Sequence, residues 1–155
     1  DFDFRFPRKR VFTTDPRRFA HKFDTLVSVR APVGDMNIAA EDCCIGRGLA
    51  AVIERNGCYS FTYYFLKALT EQLKGFEDNG TVFGSINKND FESLTCIIPT
   101  LEVITSFEEN WRAIDNEIFN LEQESRTLAS SRDAILPKLV RGEIELREGS
   151  YGQRQ

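Results

Sequence analysis

The sequence predicts an α+β protein, in which a mixed globular domain is followed by one long helix that forms a coiled coil. Short β-branched and apolar runs broken by Pro and Gly fill residues 25–55, as is typical of strands joined by turns. Beyond Pro99, apolar residues recur at alternating steps of three and four with no Gly or Pro before Pro137. The chain has 155 residues, of which 41% are apolar and 28% are charged, so a core of ordinary size is expected.

The predicted strands lie in the first third of the chain. "TLVSVRA" at 25–31 alternates and is β-branched, a turn follows at Pro32 and Gly34, and "GLAAVI" at 48–53 is a second apolar run. We interpret this region as a meander. Gly46 and Gly48 bracket a turn at which glycine would permit positive φ.

A helix is predicted from Ser60 to about Leu73, because apolar residues recur there at helical spacing before Lys74 and Gly75. A polar turn at Asp78–Gly80 and a short turn capped by Asn89 or Asp90 should follow. "TCIIPT" at 95–100 reads as a strand-like stretch that Pro99 stops.

The long helix carries a heptad seam of about four and a half repeats, broken only by Ser125 and Arg132. A helix of about 35 residues spans roughly 50 Å, which exceeds what a domain of this size covers, so a partner helix is predicted. The alternative, that the seam packs on the preceding domain, could account for its first two turns. The residues predicted to pair are Phe107, Trp111, Ile114, Ile118, Leu121, Leu128 and Ile135. Pro137 should end the helix.

The net charge is −4, but the charges are unevenly distributed, with a basic segment at 1–22 and an acidic segment at 101–136. A basic surface attracts phosphates locally because more distant charges are screened; the alternative is a solvated tail. Outward-pointing donors also suit DNA reading: Arg30 before the Pro-Gly turn, Arg47 between two glycines, and a polar loop later in the chain. The candidate DNA-binding residues are Arg8, Lys9, Arg10, Arg30, Arg47, Asn79, Thr81, Ser85 and Lys88.

Nothing in the sequence points to an enzyme. The Cys residues form no Cys-x-x-Cys pair, the single His21 lacks metal-ligand spacing with them, and phosphate-loop or hydrolase motifs are absent. We therefore predict no catalytic residue, metal or cofactor, and interpret the cysteines as small apolar fillers in a reducing compartment; a cysteine nucleophile served by His21 is the alternative. With no membrane-length apolar run or signal peptide in the sequence, we expect a cytoplasmic protein. The missing initiator Met suggests processing or a longer parent chain.

Ordered blocks of the sequence resemble the specificity subunit of type I restriction-modification enzymes. They are "LVSVRAPVGDMNIAAEDCCIGRG", "YYFLKAL", "GTVFGSINKNDFESLTCIIP" and the stretch from "LEVITSFEENW" to "RDAILPKLVRGEIEL", within residues 24–146. The resemblance implies a target-recognition domain at 1–99 and a conserved spacer helix and turn at 100–146. The remaining residues, 147–155, are predicted to form a flexible tail. Arg47 stands where many members have a polar amide, and residues 1–22 match no block.

The resemblance also implies function. Such a domain binds one half of a split double-stranded DNA sequence. Its helix pairs antiparallel with a second such helix, setting the distance between half-sites and docking methyltransferase and restriction subunits, which carry the catalysis. The pairing helix would come from the same longer chain or from a second half-subunit. The competing hypothesis is a coiled-coil adaptor or inhibitor without DNA specificity, which the acidic helix would also suit.

Overall fold

The computed structural model describes residues 2–76 and 85–144. Its strands and helices confirm the predicted α+β class, and the chain divides into a unit at Asp1–Phe119 and a unit at Asn120–Gln155. The domain boundary expected at residue 99 stays a prediction. The elements are β1 (Phe19–Ala20), β2 (Thr25–Ser28), β3 (Met36–Ile38), β4 (Cys43–Cys44), β5 (Leu49–Val52), α1 (Tyr59–Ala68), α2 (Thr70–Gly75), α3 (Lys88–Glu92) and α4 (Leu101–Val140).

The main sheet is antiparallel, with the strand order β3-β2-β5. All four residues of β2 are buried, because neighbouring side chains point to opposite faces and both faces are covered. Val27 joins one apolar cluster and Leu26 another. The meander prediction was wrong: β5 pairs with β2 rather than with β3. The connection from β3 to β5 contains β4, which pairs with β1 in a separate ladder, so β5 returns to the other edge of β2.

The two predicted turns of this region differ in backbone conformation. Gly34 has φ +86° and donates its N–H to the Ser28 carbonyl at 2.9 Å, as expected for a left-handed turn residue. The second turn is present too, closed by the Leu49 N–H on the Gly46 carbonyl at 3.2 Å. Neither Gly46 nor Gly48 has positive φ, so the predicted reason for these glycines was wrong.

The helix predicted at 60–73 is present but interrupted. Leu69 separates α1 from α2, and its N–H bonds to the Leu66 carbonyl at 3.0 Å. Leu66 and Leu73 are buried with Val27 in one cluster, so the two helices cover one face of the main sheet.

The segment before α4 corrects two local predictions. The N-cap of α3 is Asn87 rather than Asn89 or Asp90: its side chain accepts the backbone N–H groups of both, and Asp90 completes the capping box. "TCIIPT" forms no strand; Ile97 and Ile98 are 91% and 74% exposed. Apolar character alone does not make a strand, which needs a neighbour for its backbone groups.

The long helix is confirmed, although its predicted end was wrong. It runs through Pro137 to Val140. A proline near the end of a helix removes only one backbone hydrogen bond, so the helix continues past Pro137. The chain leaves the helical conformation later, at Gly142 with φ +69°. There the Gly142 N–H bonds to the Leu139 carbonyl and the Glu143 N–H to the Lys138 carbonyl, which is a Schellman motif. Within residues 2–76 and 85–144, no helix has both the length and the apolar character that a bilayer crossing requires.

Candidate nucleic-acid interface

The basic N-terminal stretch is held against the domain at two points. The Arg5 carbonyl accepts the Ile38 N–H at 2.8 Å, and the Arg18 carbonyl accepts the Ile45 N–H at 2.9 Å. Phe6, next to the first point, is fully buried. Residues 8–19 between the two points are all exposed. The alternative of a loose solvated tail therefore does not describe this stretch, which is a loop tied at both ends.

The three basic residues predicted to bind DNA in this loop are exposed. The Arg8 guanidinium lies over the Phe4 ring, 3.1 Å from its centroid. Arg10 pairs with Glu41 at 2.9 Å, with more than half of each side chain exposed. Exposed ion pairs contribute only about 0–1 kcal/mol, so Arg10 can exchange its carboxylate for a phosphate at little cost.

Three other predicted residues meet at one end of the main sheet. Arg30 follows β2 and forms an antiparallel backbone bridge with Ser85, and the next residue, Ile86, donates its N–H to the Val29 carbonyl at 2.9 Å. The Val29 N–H in turn bonds to the Gly48 carbonyl at 2.9 Å. Arg47 precedes that glycine, so backbone pairing brings Arg30, Arg47 and Ser85 together.

This sheet-end cluster (Arg30, Arg47, Ser85) is exposed and carries no carboxylate of its own. A Cβ on Gly48 would lie 3.8 Å from the Arg30 Cδ, so the arginine stem runs over the glycine. Two guanidinium groups and a hydroxyl can donate to base edges or phosphates, and the hydroxyl can also accept. Such a set is suited to contact with a nucleic acid.

The remaining predicted residues are Lys88, Asn79 and Thr81. Lys88 is the first residue of α3, is 87% exposed at its side chain, and lies 3.5 Å from Glu92. Asn79 and Thr81 fall outside the described residues. Ile86, which is 6% exposed, anchors the chain between Ser85 and α3 in the core.

A buried ion pair that the sequence analysis missed ties the N-terminal stretch to α4. Arg5 pairs with Asp115, whose side chain is fully buried, and donates to the Tyr64 hydroxyl at 3.0 Å. Its guanidinium also lies 4.7 Å from the Tyr63 ring centroid. The pKa of Arg5 is raised: burial acts to lower it, but the Tyr64 hydrogen bond and the Asp115 charge outweigh that effect. The pair fixes the base of the exposed basic stretch, which we call the basic loop and define as residues 7–19.

A second buried acid on the same helix caps α1. Cys58, at the N-cap position of α1, makes no side-chain capping bond. Glu108 of α4 accepts the Phe61 N–H at 2.9 Å instead, and also accepts from Arg112 Nε at 3.0 Å. Asp115 lies one heptad after Glu108, and that spacing beside the seam was the sequence signal that these acids face the domain.

Comparison with known proteins identifies the family of this chain. The family model for the type I restriction modification DNA specificity domain matches residues 14–125, a range that contains the sheet-end cluster and the first part of α4. The chain belongs to this specificity-domain family. Arg8, Lys9 and Arg10 precede the matched range, so the family match says nothing about them.

Two relatives and two solved structures of this family match from 76% to 93% of the chain. A protein assigned as the MjaX type I restriction enzyme specificity subunit of Methanocaldococcus jannaschii is 32% identical over 92% of this chain and 34% of its own length. The HindI specificity subunit of Haemophilus influenzae is 28% identical over 76% of this chain and 26% of its own length.

Among solved structures, the HsdS subunit from Thermoanaerobacter tengcongensis has a TM-score of 0.57 at 31% identity, over 92% of this chain and 35% of that one. A chain from a structure of the type I R-M system, concerned with complex assembly and conformational transition, has a TM-score of 0.60 at 32% identity, over 93% of this chain and 37% of that one. The specificity domain thus spans about a third of the length of the relatives it matches.

In this specificity domain, the heptad seam of α4 separates into two rows. Ile104 is buried, Trp111 packs on Tyr64 at 5.2 Å between ring centroids, and Ile118 joins the cluster around Phe6. The other row starts at Phe107, which contacts the rings of Phe61 and Tyr64, and then turns outward. Its later members are 47%, 54%, 63% and 47% exposed, which leaves them open to a partner: Ile114, Leu121, Leu128 and Ile135.

The cysteines of the specificity domain differ in burial. Cys58 is buried, as predicted for a filler, and burial raises the pKa of its thiol, with the Glu108 charge adding to the shift. Cys44 and Cys96 are exposed, so the filler interpretation was wrong for these two. His21, the base that a cysteine nucleophile would need, lies 3.7 Å from Asp42 and is largely exposed. In the described part of the chain, no three His, Cys, Asp or Glu side chains are grouped so as to hold a metal ion.

Proposed function

We propose that this chain is the DNA-reading unit of a type I restriction-modification specificity subunit and binds one half of a split target in double-stranded DNA. The observation that carries the proposal is the backbone pairing that brings Arg30, Arg47 and Ser85 to one exposed end of the sheet. Arginine forms bidentate bonds with guanine or phosphate, and serine bonds to several bases. Membership of the specificity-domain family supports a DNA ligand for this cluster.

Lys88 and the basic loop supply phosphate contacts in this proposal. Contacts to phosphates fix the orientation of a protein on the duplex without reading sequence, whereas base contacts specify it. Lys88 follows Ser85 of the sheet-end cluster closely in the chain, and Asn79 and Thr81 precede that serine in the sequence. Arg8, Lys9 and Arg10 lie on the loop that is tied to β3 through Arg5.

We also propose that α4 is a spacer and docking helix. Its exposed row, at Ile114, Leu121, Leu128 and Ile135, has the seven-residue spacing that pairs helices in a coiled coil. The second helix would come from another half of the same subunit or from a second copy. The pair would dock the methyltransferase and restriction subunits, which would perform methylation and cleavage, while this chain performs neither. We propose that the complex works in the cytoplasm, where it would meet double-stranded DNA, and cell fractionation would test this.

Selection from a randomised duplex library tests the proposal. The purified protein with its methyltransferase partner is incubated at about 0.15 M salt, at which non-specific phosphate binding is weak. We expect enrichment of a short half-site, or of two half-sites at fixed spacing. Retention of the methyltransferase without any sequence enrichment would refute DNA reading and favour an adaptor.

Substitution then assigns the reading residues. Arg30→Ala should lower affinity for the selected duplex by about 5- to 150-fold and relax the preference at one base position, because a bidentate base contact is worth roughly 1–3 kcal/mol. Arg55→Ala is the matched control, since Arg55 is exposed beyond the opposite end of β5. Equal losses in the two variants would remove Arg30 from the reading surface.

A further inference from the structure

The tip of the N-terminal basic loop exposes two adjacent apolar side chains. Val11 is 87% exposed and Phe12 is 89% exposed, although most aromatic residues of this unit pack in or against its core. Adjacent apolar residues held in water cost free energy unless a ligand covers them. Their position in the chain indicates what that ligand is.

Cations flank this apolar tip on both sides. Arg8, Lys9 and Arg10 precede it directly, Arg17 and Arg18 follow it, and Asp15 is the only acid in the loop sequence. Arg17 pairs with Asp15 at 2.8 Å, with both side chains at least two-thirds exposed, and such a pair is readily exchanged for a phosphate. Five basic residues against one acid favour a polyanion as the ligand.

Both ends of the loop are fixed to the domain, which favours binding of such a ligand. Phe6 at one end is fully buried and packs edge-on against Phe119, 4.9 Å between ring centroids. Ala20 at the other end is 1% exposed and belongs to the β1–β4 ladder. The buried pair of Arg5 and Asp115 fixes the base of the loop. Two fixed ends reduce the conformational entropy that the loop loses when it orders on a ligand.

We propose that Val11 and Phe12 form an apolar wedge that enters a groove of the bound DNA duplex, while the flanking cations contact the phosphates on either side. The proposal rests on the DNA-reading function proposed above and deepens it. A groove offers sugars, base edges and thymine methyl groups between two lines of phosphates, which matches an apolar tip between cations. Apolar side chains that enter between base steps partly unstack them and bend the duplex.

The test compares salt dependence with affinity. Each lost phosphate contact flattens the plot of log K against log salt by about 0.9, whereas loss of an apolar contact leaves that slope unchanged. For the selected duplex, we expect the double variant Val11→Ala with Phe12→Ala to weaken binding at least about fivefold at constant slope. The triple Ala variant of Arg8, Lys9 and Arg10 should flatten the slope by up to about three units. The matched control is Ile97→Ala, because Ile97 is 91% exposed outside the loop.

A second readout reports on the wedge itself. The selected duplex is synthesised in versions that carry 2-aminopurine at successive positions, since the fluorescence of this base rises when it unstacks. We expect the wild-type protein to raise the signal at one step and the double variant at Val11 and Phe12 to lose that rise. Urea unfolding midpoints equal to that of the wild type would show that the variant folds, as its side chains are exposed.

The outcomes separate this inference from the proposed function. If the wild-type protein selects no sequence, the DNA-reading function fails. If it does select one, but the variant at Val11 and Phe12 binds with unchanged affinity, the wedge alone is refuted. A loss of binding that appears only when the methyltransferase is present would also refute the wedge, because the tip would then contact protein.

Discussion

Replacement of Glu108 by Ala should remove the cap that α4 supplies to α1. The Glu108 carboxylate is 5% exposed and accepts the Phe61 N–H at 2.9 Å, while α1 has no side-chain cap of its own and no acid in its first turn. A hydrogen bond to a charged group contributes about 1.5–3 kcal/mol, and a carboxylate at a helix N-terminus adds about 0.3–1 kcal/mol. The ion pair with Arg112 adds little because that side chain is half exposed.

We therefore expect Glu108→Ala to lower the free energy of unfolding by about 2–4 kcal/mol, which corresponds to a Tm decrease of roughly 5–15 °C for a chain of this size. Glu108→Gln keeps an acceptor oxygen and should lose about half as much. Urea titration followed by Trp fluorescence measures the change directly, because Trp111 is the single Trp and packs on Tyr64 of α1.

The control for this prediction is Glu109→Ala, at the exposed neighbouring position of the same helix turn. We expect its midpoint to stay within about 0.5 kcal/mol of the wild type, as surface substitutions usually do. An effect of Glu108→Ala no larger than that of the control would refute the capping argument, since the Phe61 N–H would then have found another acceptor at no cost.

The Arg5–Asp115 pair, the seam of α4 and the buried thiol of Cys58 give three further predictions. In a double-mutant cycle, Arg5→Met and Asp115→Leu should each destabilise the domain and the double variant should lose about 1–3 kcal/mol less than their sum; additive losses would exclude a coupled buried pair. Ile114→Asp should abolish helix pairing in analytical ultracentrifugation without lowering the unfolding midpoint, whereas Ile118→Asp should lower the midpoint because its partly buried side chain packs against the cluster around Phe6. Burial raises the folded-state pKa of the Cys58 thiol, so the contribution of this thiol to stability is present below about pH 8.5 and is lost as pH rises further. Cys58→Ala should flatten this decline of the unfolding free energy with pH. A decline of the same slope in the variant would assign it to other groups.

Regular hydrophobic and β-branched patterns in the sequence predicted the fold class. Hydrophobic spacing predicted the α1 region and the long helix, because a helix buries residues along one face, and the β-branched run at Thr25–Ser28 predicted a strand, all four residues of which are buried. The local signals failed where a long-range contact decided the outcome. "TCIIPT" looks like a strand but is exposed coil, and the strand order depends on β4 leaving to pair with β1.

The candidate site shows the same division. Arginine between glycines and arginine before a turn marked Arg47 and Arg30 as donors, but the backbone bridge of Arg30 to Ser85 joins residues 55 positions apart, and only the fold brings them together. Glu108 and Asp115 were counted only among the acids of the acidic stretch, and their partners on α1 and in the N-terminal stretch became known only from the fold.

The sequence by itself determined the family, the α+β class, the long heptad helix and the basic character of the N-terminal stretch, because composition, period and ordered motifs are properties of neighbours along the chain. Only the tertiary structure decided which seam residues face outward, that the basic stretch is tied at both ends with Phe12 exposed, and that the donors of the sheet end meet. These properties depend on burial and on pairing between distant segments, which no local pattern encodes.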